Sequence, residues 1–139
     1  MLNFVHLQPS VKLKLMTENT QQALTSEILA DAVIEGIREK KGFDIAVLDL
    51  RGLSHAVCDH FIICCGNSST QVAALANSIE DLVRKKTGES PWHVEGTANS
   101  EWILIDFVNV VVHVFQPQAR SFYNIEKLWA DASVSHYQD

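Results

Sequence analysis

Apolar residues recur at helical spacing after Ser26, where Ile28, Leu29, Ala32, Val33 and Ile37 form one stripe. Ser26 supplies an N-cap, and Lys40-Lys41-Gly42 a cationic end with a terminating glycine, so the pattern predicts a helix over about 26–41. Ile45–Leu48 and Phe61–Cys65 read as short buried strands. Gly66-Asn67-Ser68-Ser69 turns the chain into a second helical stripe, Val72, Leu75, Ala76, Ile79, Leu82 and Val83, which Thr87-Gly88 ends. A short strand near Trp92–Glu95, strands at about 101–107 and 110–115, and a last helix at about 119–132 complete the series. Strands separated by a crossover helix imply a single α/β domain, a mixed β-sheet flanked by helices.

Within the strand at 101–107, Ile103, Ile105 and Phe107 alternate with Trp102, Leu104 and Asp106, so the two triplets face opposite sides of the sheet. The first triplet is wholly apolar and belongs in a core. The second combines an indole, an aliphatic residue and a carboxylate, which suits an interface anchor with an adjoining charge as well as a sheet face under a helix.

Composition narrows the function classes. The 139 residues are 47% hydrophobic and 20% charged, the make-up of one globular domain. Eleven Lys and Arg against seventeen Asp and Glu give a net charge of -6, which disfavours direct nucleic-acid contact and permits a basic protein partner. Cys58, Cys64 and Cys65 are an odd set with a vicinal pair inside an apolar strand, so a disulfide framework is not expected. Together with the lack of a secretory signal, this points to a reducing, cytoplasmic location. No apolar run approaches the roughly 20 residues that span a bilayer. Residues 1–24 lack a sustained period and read as a flexible extension; an amphipathic targeting arm over 1–16 is the alternative, with Lys12 and Lys14 its only basic residues. Residues 133–139 read as a C-terminal tail.

Candidate chemistry is sparse. The Gly66-Asn67-Ser68-Ser69 turn stands between strand and helix, where a phosphate can bind, but it lacks both the Gly-Lys-Ser/Thr ending and the three-glycine fingerprint. His55, Cys58, His60, Cys64 and Cys65 carry metal-compatible atoms without zinc-site spacing, so no metal is expected. Cys64 or Cys65 paired with His113 would make a nucleophile and base, yet a thiol in an apolar strand has nothing to lower its pKa. Asp44, Asp49, Asp59 and Asp106 flank strands, where paired carboxylates would bind magnesium, but none forms an Asp-x-Asp pair. No catalytic residue and no cofactor is expected. A metal-dependent nucleotidyltransferase-like enzyme is one reading that stays open as an alternative, and a dimeric adaptor protein is another.

Over about residues 25–132 the sequence resembles the ribosomal silencing factor family, also called Iojap. The resemblance rests on Asp49-Leu50-Arg51 with Ser54, Asp59-His60-Phe61-Ile62-Ile63, Gly66-Asn67-Ser68 with Gln71-Val72, Glu95-Gly96, Trp102-Ile103-Leu104-Ile105-Asp106, Val110 to Phe115, and Arg120 through Phe122-Tyr123 to Glu126, Leu128-Trp129 and Asp131-Ala132. It implies a nucleotidyltransferase-like fold without that activity. It also implies binding to ribosomal protein L-fourteen on the large ribosomal subunit, a steric block to small-subunit joining, lowered translation, and a homodimer when free. A basic ribosomal protein as target reconciles the acidic chain with a ribosomal role.

On that resemblance the partner-binding residues are Trp102, Leu104, Asp106, Asn109, Arg120 and Tyr123, with Trp102 as apolar anchor and Asp106 paired to a basic residue. The chain departs from the family where His60 replaces a tyrosine, Phe107-Val108-Asn109 replaces Tyr-Gly-Asp, and Gln118 replaces a glutamate. Losing the glycine and carboxylate of the turn should alter its geometry and local charge.

Overall fold

The computed structural model describes residues 8–138. Six strands form one sheet in the order β3-β4-β5-β2-β1-β6, with β1 at Phe43–Asp49, β2 at His60–Cys65, β3 at His93–Glu95, β4 at Trp102–Asp106, β5 at Val110–Phe115 and β6 at Ser133–Tyr137. All neighbours are antiparallel except the central pair β2 and β5, which run parallel from His60↔Val110 to Cys65↔Phe115. A parallel pair needs a long connection, supplied here by α2 (Ser69–Thr87) and the β3–β4 hairpin.

Helices α1 (Pro9–Glu39) and α2 pack side by side on one face of the sheet. Their close approach depends on Gly36, where an added Cβ would lie 2.9 Å from the Ile79 Cα, and the Ser78 hydroxyl donates to the Gly36 carbonyl at 2.8 Å. Beneath them Ile45, Ile62, Ile103, Ile105, Val112 and Val114 join Val33, Ile37, Leu75 and Ile79 in the main core. The expected inward triplet Ile103, Ile105 and Phe107 is buried there, as the alternation requires.

At the start of α2 the Ser68 hydroxyl accepts from the Gln71 N–H at 3.1 Å, and Gln71 Oε1 accepts from the Asn67 N–H at 2.7 Å. Gly66 N–H donates to Phe115 O at 2.9 Å, so the turn weighed as a phosphate site spends these donors on capping and on the sheet. Gly88, at φ +77°, closes the helix.

Three expectations need correction. The first helix starts at Pro9, not Ser26, so residues 9–24, read as an extension, are helical; the targeting arm weighed for 1–16 falls partly outside the described residues. The single last helix is two, α3 (Pro117–Tyr123) and α4 (Ile125–Leu128), divided at Asn124, which takes the left-handed conformation at φ +45°. Most of the supposed C-terminal tail is strand β6, paired with β1 from Asp49↔Ser133 to Ile45↔Tyr137.

Candidate protein-binding site

The second face of the sheet is only partly covered. Ala46, Leu48, Phe61, Ile63, Val111 and Phe115 are buried beneath α3, α4 and the β1–β2 connection through Leu50, Leu53 and Ala56. Trp102 and Leu104, from β4 near the sheet edge, pack against this cluster and stay half-buried.

Aromatic rings run unbroken across this face. His55 stacks on Trp129 with centroids 4.7 Å apart, Trp129 meets Phe61 edge-on at 5.6 Å, and Phe61 meets His113 at 4.7 Å. Trp102 then lies 5.8 Å from His113, 4.9 Å from Phe115 and 4.8 Å from Tyr123, which abuts Phe122. Trp102 donates its indole N–H to His113 Nδ1 at 3.1 Å. The run ends in the open: Tyr123 is 50% exposed and Phe122 82%. Aromatic groups with one wet edge are the usual anchors of protein interfaces.

Burial pushes the His113 pKa down to about 4, so its ring is neutral at physiological pH. Its Nε2 has no partner among the described residues.

The six expected contact residues divide by environment. Trp102, Leu104 and Tyr123 share the aromatic face. Asp106 spends an oxygen on the turn that follows it, its Oδ1 accepting from the Val108 N–H at 2.7 Å. Asn109, half-buried, offers its carbonyl to the N–H groups of Asp59 and His60 at 2.8 and 3.2 Å, bracing the β4–β5 link against the chain entering β2.

Arg120 has a structural position. Its guanidinium pairs with both Glu126 oxygens at 2.9 and 3.2 Å and donates to Asp44 O at 2.5 Å and Cys65 Sγ at 3.4 Å. Burial opposes the charge, but the Glu126 and Cys65 hydrogen bonds more than offset it and hold the group above its ordinary pKa. Arg120 thus ties α3 to α4 and to the sheet.

Two of the aspartates considered for catalysis are otherwise occupied. Asp49 pairs with Arg51 through both oxygens at 3.0 and 2.8 Å, and Asp59 accepts from the Ser26 hydroxyl at 2.9 Å. Among the described residues no three His, Cys, Asp or Glu gather into a metal-binding group. Burial raises the Cys58 pKa to about 11 and also pushes Cys64 and Cys65 upward, the reverse of an activated thiol. No described helix is long and apolar enough to cross a membrane.

Sequence reasoning missed Phe122 as a surface group, although its place beside Tyr123 in a short aromatic helix was a usable signal. It also missed the ring contacts of His55 and Trp129, which join segments far apart in sequence and carry no local pattern.

Fold and site define a single-domain α/β protein whose mixed, open sheet has one face roofed by two helices and an aromatic patch on the other. The model of the family described as "Ribosomal silencing factor during starvation" matches residues 22–139, and the chain belongs to that family. It is 44% identical over 97 residues to the ribosomal silencing factor RsfS of Bacillus subtilis, covering 70% of this chain and 80% of that one. A mouse protein named for mitochondrial assembly of the ribosomal large subunit is 27% identical over 101 residues, covering 71% of this chain and 44% of that one. A crystal structure of a Chromobacterium violaceum protein superposes with a TM-score of 0.68 at 36% identity, covering 80% of this chain and 91% of that one.

Proposed function

We propose that this chain is a non-enzymatic translation repressor that binds the large ribosomal subunit through ribosomal protein L-fourteen and sterically prevents the small subunit from joining. The observation that carries the reading is the aromatic patch: Trp102 and Leu104 lie half-buried beside Tyr123 and the 82% exposed Phe122, in a family named for silencing ribosomes. An apolar centre on a chain of net charge -6 complements a basic ribosomal protein. The mouse relative's name, which refers to the ribosomal large subunit, supports the choice of subunit. The protein acts in the cytoplasm, and a free homodimer is part of the proposal, its interface overlapping the ribosome-binding face.

The decisive experiment adds purified protein to separated subunits and measures both cosedimentation with the large subunit and the yield of joined ribosomes. Retention on the large subunit with a falling yield is expected. Absence of retention, or retention with unchanged joining, refutes the reading.

A further inference from the structure

We propose that Val108 is a specificity-determining contact for the protein partner, presented by a strained turn that Asp106 holds in place. The inference deepens the proposed binding to a large-subunit protein and rests on it. Between β4 and β5 the chain reverses through Val108 and Asn109, with Phe107 N–H donating to Val110 O at 2.9 Å. Asn109 N–H donates to Phe107 O at 3.0 Å, which closes a three-residue γ-turn centred on Val108 at φ +76°. This is the rare, strained form of that turn, and a β-branched residue is especially unsuited to it. A two-residue hairpin link ordinarily gives the position to glycine.

Internal packing does not account for the choice of valine, because Val108 is 59% exposed. The conformation is instead imposed from both sides. Asp106 Oδ1 accepts from the Val108 N–H at 2.7 Å, and the Asn109 carbonyl is held by the N–H groups of Asp59 and His60. Val57, two residues before Asp59 in the bracing segment, is itself 80% exposed. Glycine or asparagine would satisfy the turn with less strain, so the role of valine lies in what its side chain meets outside the chain.

That partner is the large-subunit protein of the proposed function, offering an apolar depression to the β4–β5 turn. Asp106 is then a positioning residue, acting through the turn instead of through an ion pair with the partner.

The test uses the full chain, purified large subunits and thermal melting. Val108→Gly and Val108→Asn are expected to melt about 2–4 °C higher, as strain is relieved, and to bind roughly tenfold or more weakly, as a buried valine is lost. Undiminished binding by both variants, or a melting temperature that fails to rise in Val108→Gly, overturns the proposal. Asp106→Asn keeps an oxygen acceptor for the Val108 N–H and removes the charge, so it should bind within about threefold of the parent, while Asp106→Ala should not. Equal losses in those two variants overturn the positioning role. Failure of the unsubstituted chain to bind large subunits is a separate result: it removes the proposed function, and this inference with it.

Discussion

The indole N–H of Trp102 donates to Nδ1 of His113, 3.1 Å away across the β4–β5 pair. The bond fixes the tautomer of a neutral ring, because Nδ1 must accept and Nε2 must carry the proton. It also ties an anchor of the candidate interface to a fully formed part of the sheet.

A pH dependence follows from that neutrality. Burial lowers the His113 pKa from 6.5 to about 4, so the unfolded chain binds the proton more readily than the folded one. The stabilisation is complete above pH 6.5 and is lost as the pH falls towards 4, amounting to about 3 kcal/mol. His60, also shifted downward by burial, adds in the same direction. Urea unfolding of the parent and of His113→Gln at pH 7 and pH 4.5 checks this: the variant should lose markedly less stability between the two, and equal losses would assign the acid sensitivity elsewhere.

Trp102 has a structural duty as well as a proposed binding one, and the two separate by substitution. Trp102→Ala removes contacts with His113, Phe115 and Tyr123 from a half-buried site, a loss of about 2–3 kcal/mol in unfolding free energy. Trp102→Phe keeps an aromatic face, loses the hydrogen bond to His113, and should cost about 1 kcal/mol. If Trp102 is the anchor, the folded phenylalanine variant will still bind large subunits more weakly than the parent. Equal affinity would limit Trp102 to packing.

Arg120→Ala should cost about 2–3 kcal/mol, since it strips Glu126 of its partner and leaves the Asp44 carbonyl and Cys65 without their donor. Arg120→Lys should recover only part of this, because an ammonium cannot make the two parallel bonds to Glu126. Denaturant midpoints decide it; a fully stable lysine variant would mean that charge alone suffices.

Glycines at positive φ separate strain from collision. Gly96 takes φ +92°, and an added Cβ would lie 1.9 Å from the Trp102 carbonyl oxygen, so Gly96→Ala must displace β4 backbone next to the proposed anchor. Gly88, at φ +77°, has nothing within 4 Å of its imagined Cβ. Gly88→Ala should therefore cost about 1 kcal/mol from conformation alone, and Gly96→Ala several times more. Similar melting temperatures for the two variants would show that the hairpin adjusts freely.

The elements that bury a periodic stripe were legible in the sequence. Strand β2, with all six residues buried, and helix α2, capped by Ser68 on the Gln71 N–H and by Gln71 on the Asn67 N–H, fall where their patterns place them. Strand β6 was not legible because Ser133–Tyr137 is exposed along its length and enters the sheet through backbone bonds to β1, which leave no apolar signature. The first turns of α1 were missed for a related reason: Val11, Leu13 and Met16 are exposed, so no packed face imposes a period. At the site, alternation separated Trp102 and Leu104 from the core, but no local rule showed that Asp106 would turn to the backbone of Val108 or that Arg120 would reach back to Asp44.

The limits of the folding unit follow from this contrast between the two ends of the chain. An edge strand without buried side chains still satisfies the backbone of its neighbour, and β1 carries Ile45 and Leu48, both wholly buried. Ending the chain after residue 132 removes all five register pairs between β6 and β1 and the two bonds from Arg38 to the Gln138 carbonyl at 2.9 and 3.0 Å. At about 1 kcal/mol per bond, offset by water at the newly open edge, the loss should be about 3 kcal/mol, with self-association as β1 becomes an edge. Replacing Leu13 and Met16, which are 66% and 56% exposed, by alanine should change stability by no more than about 0.5 kcal/mol. Thermal melting and light scattering on the shortened chain and on the double alanine variant test the pair: a stable, monodisperse chain ending at 132 would place β6 outside the folding unit, and a destabilised alanine variant would extend that unit into the first turns of α1.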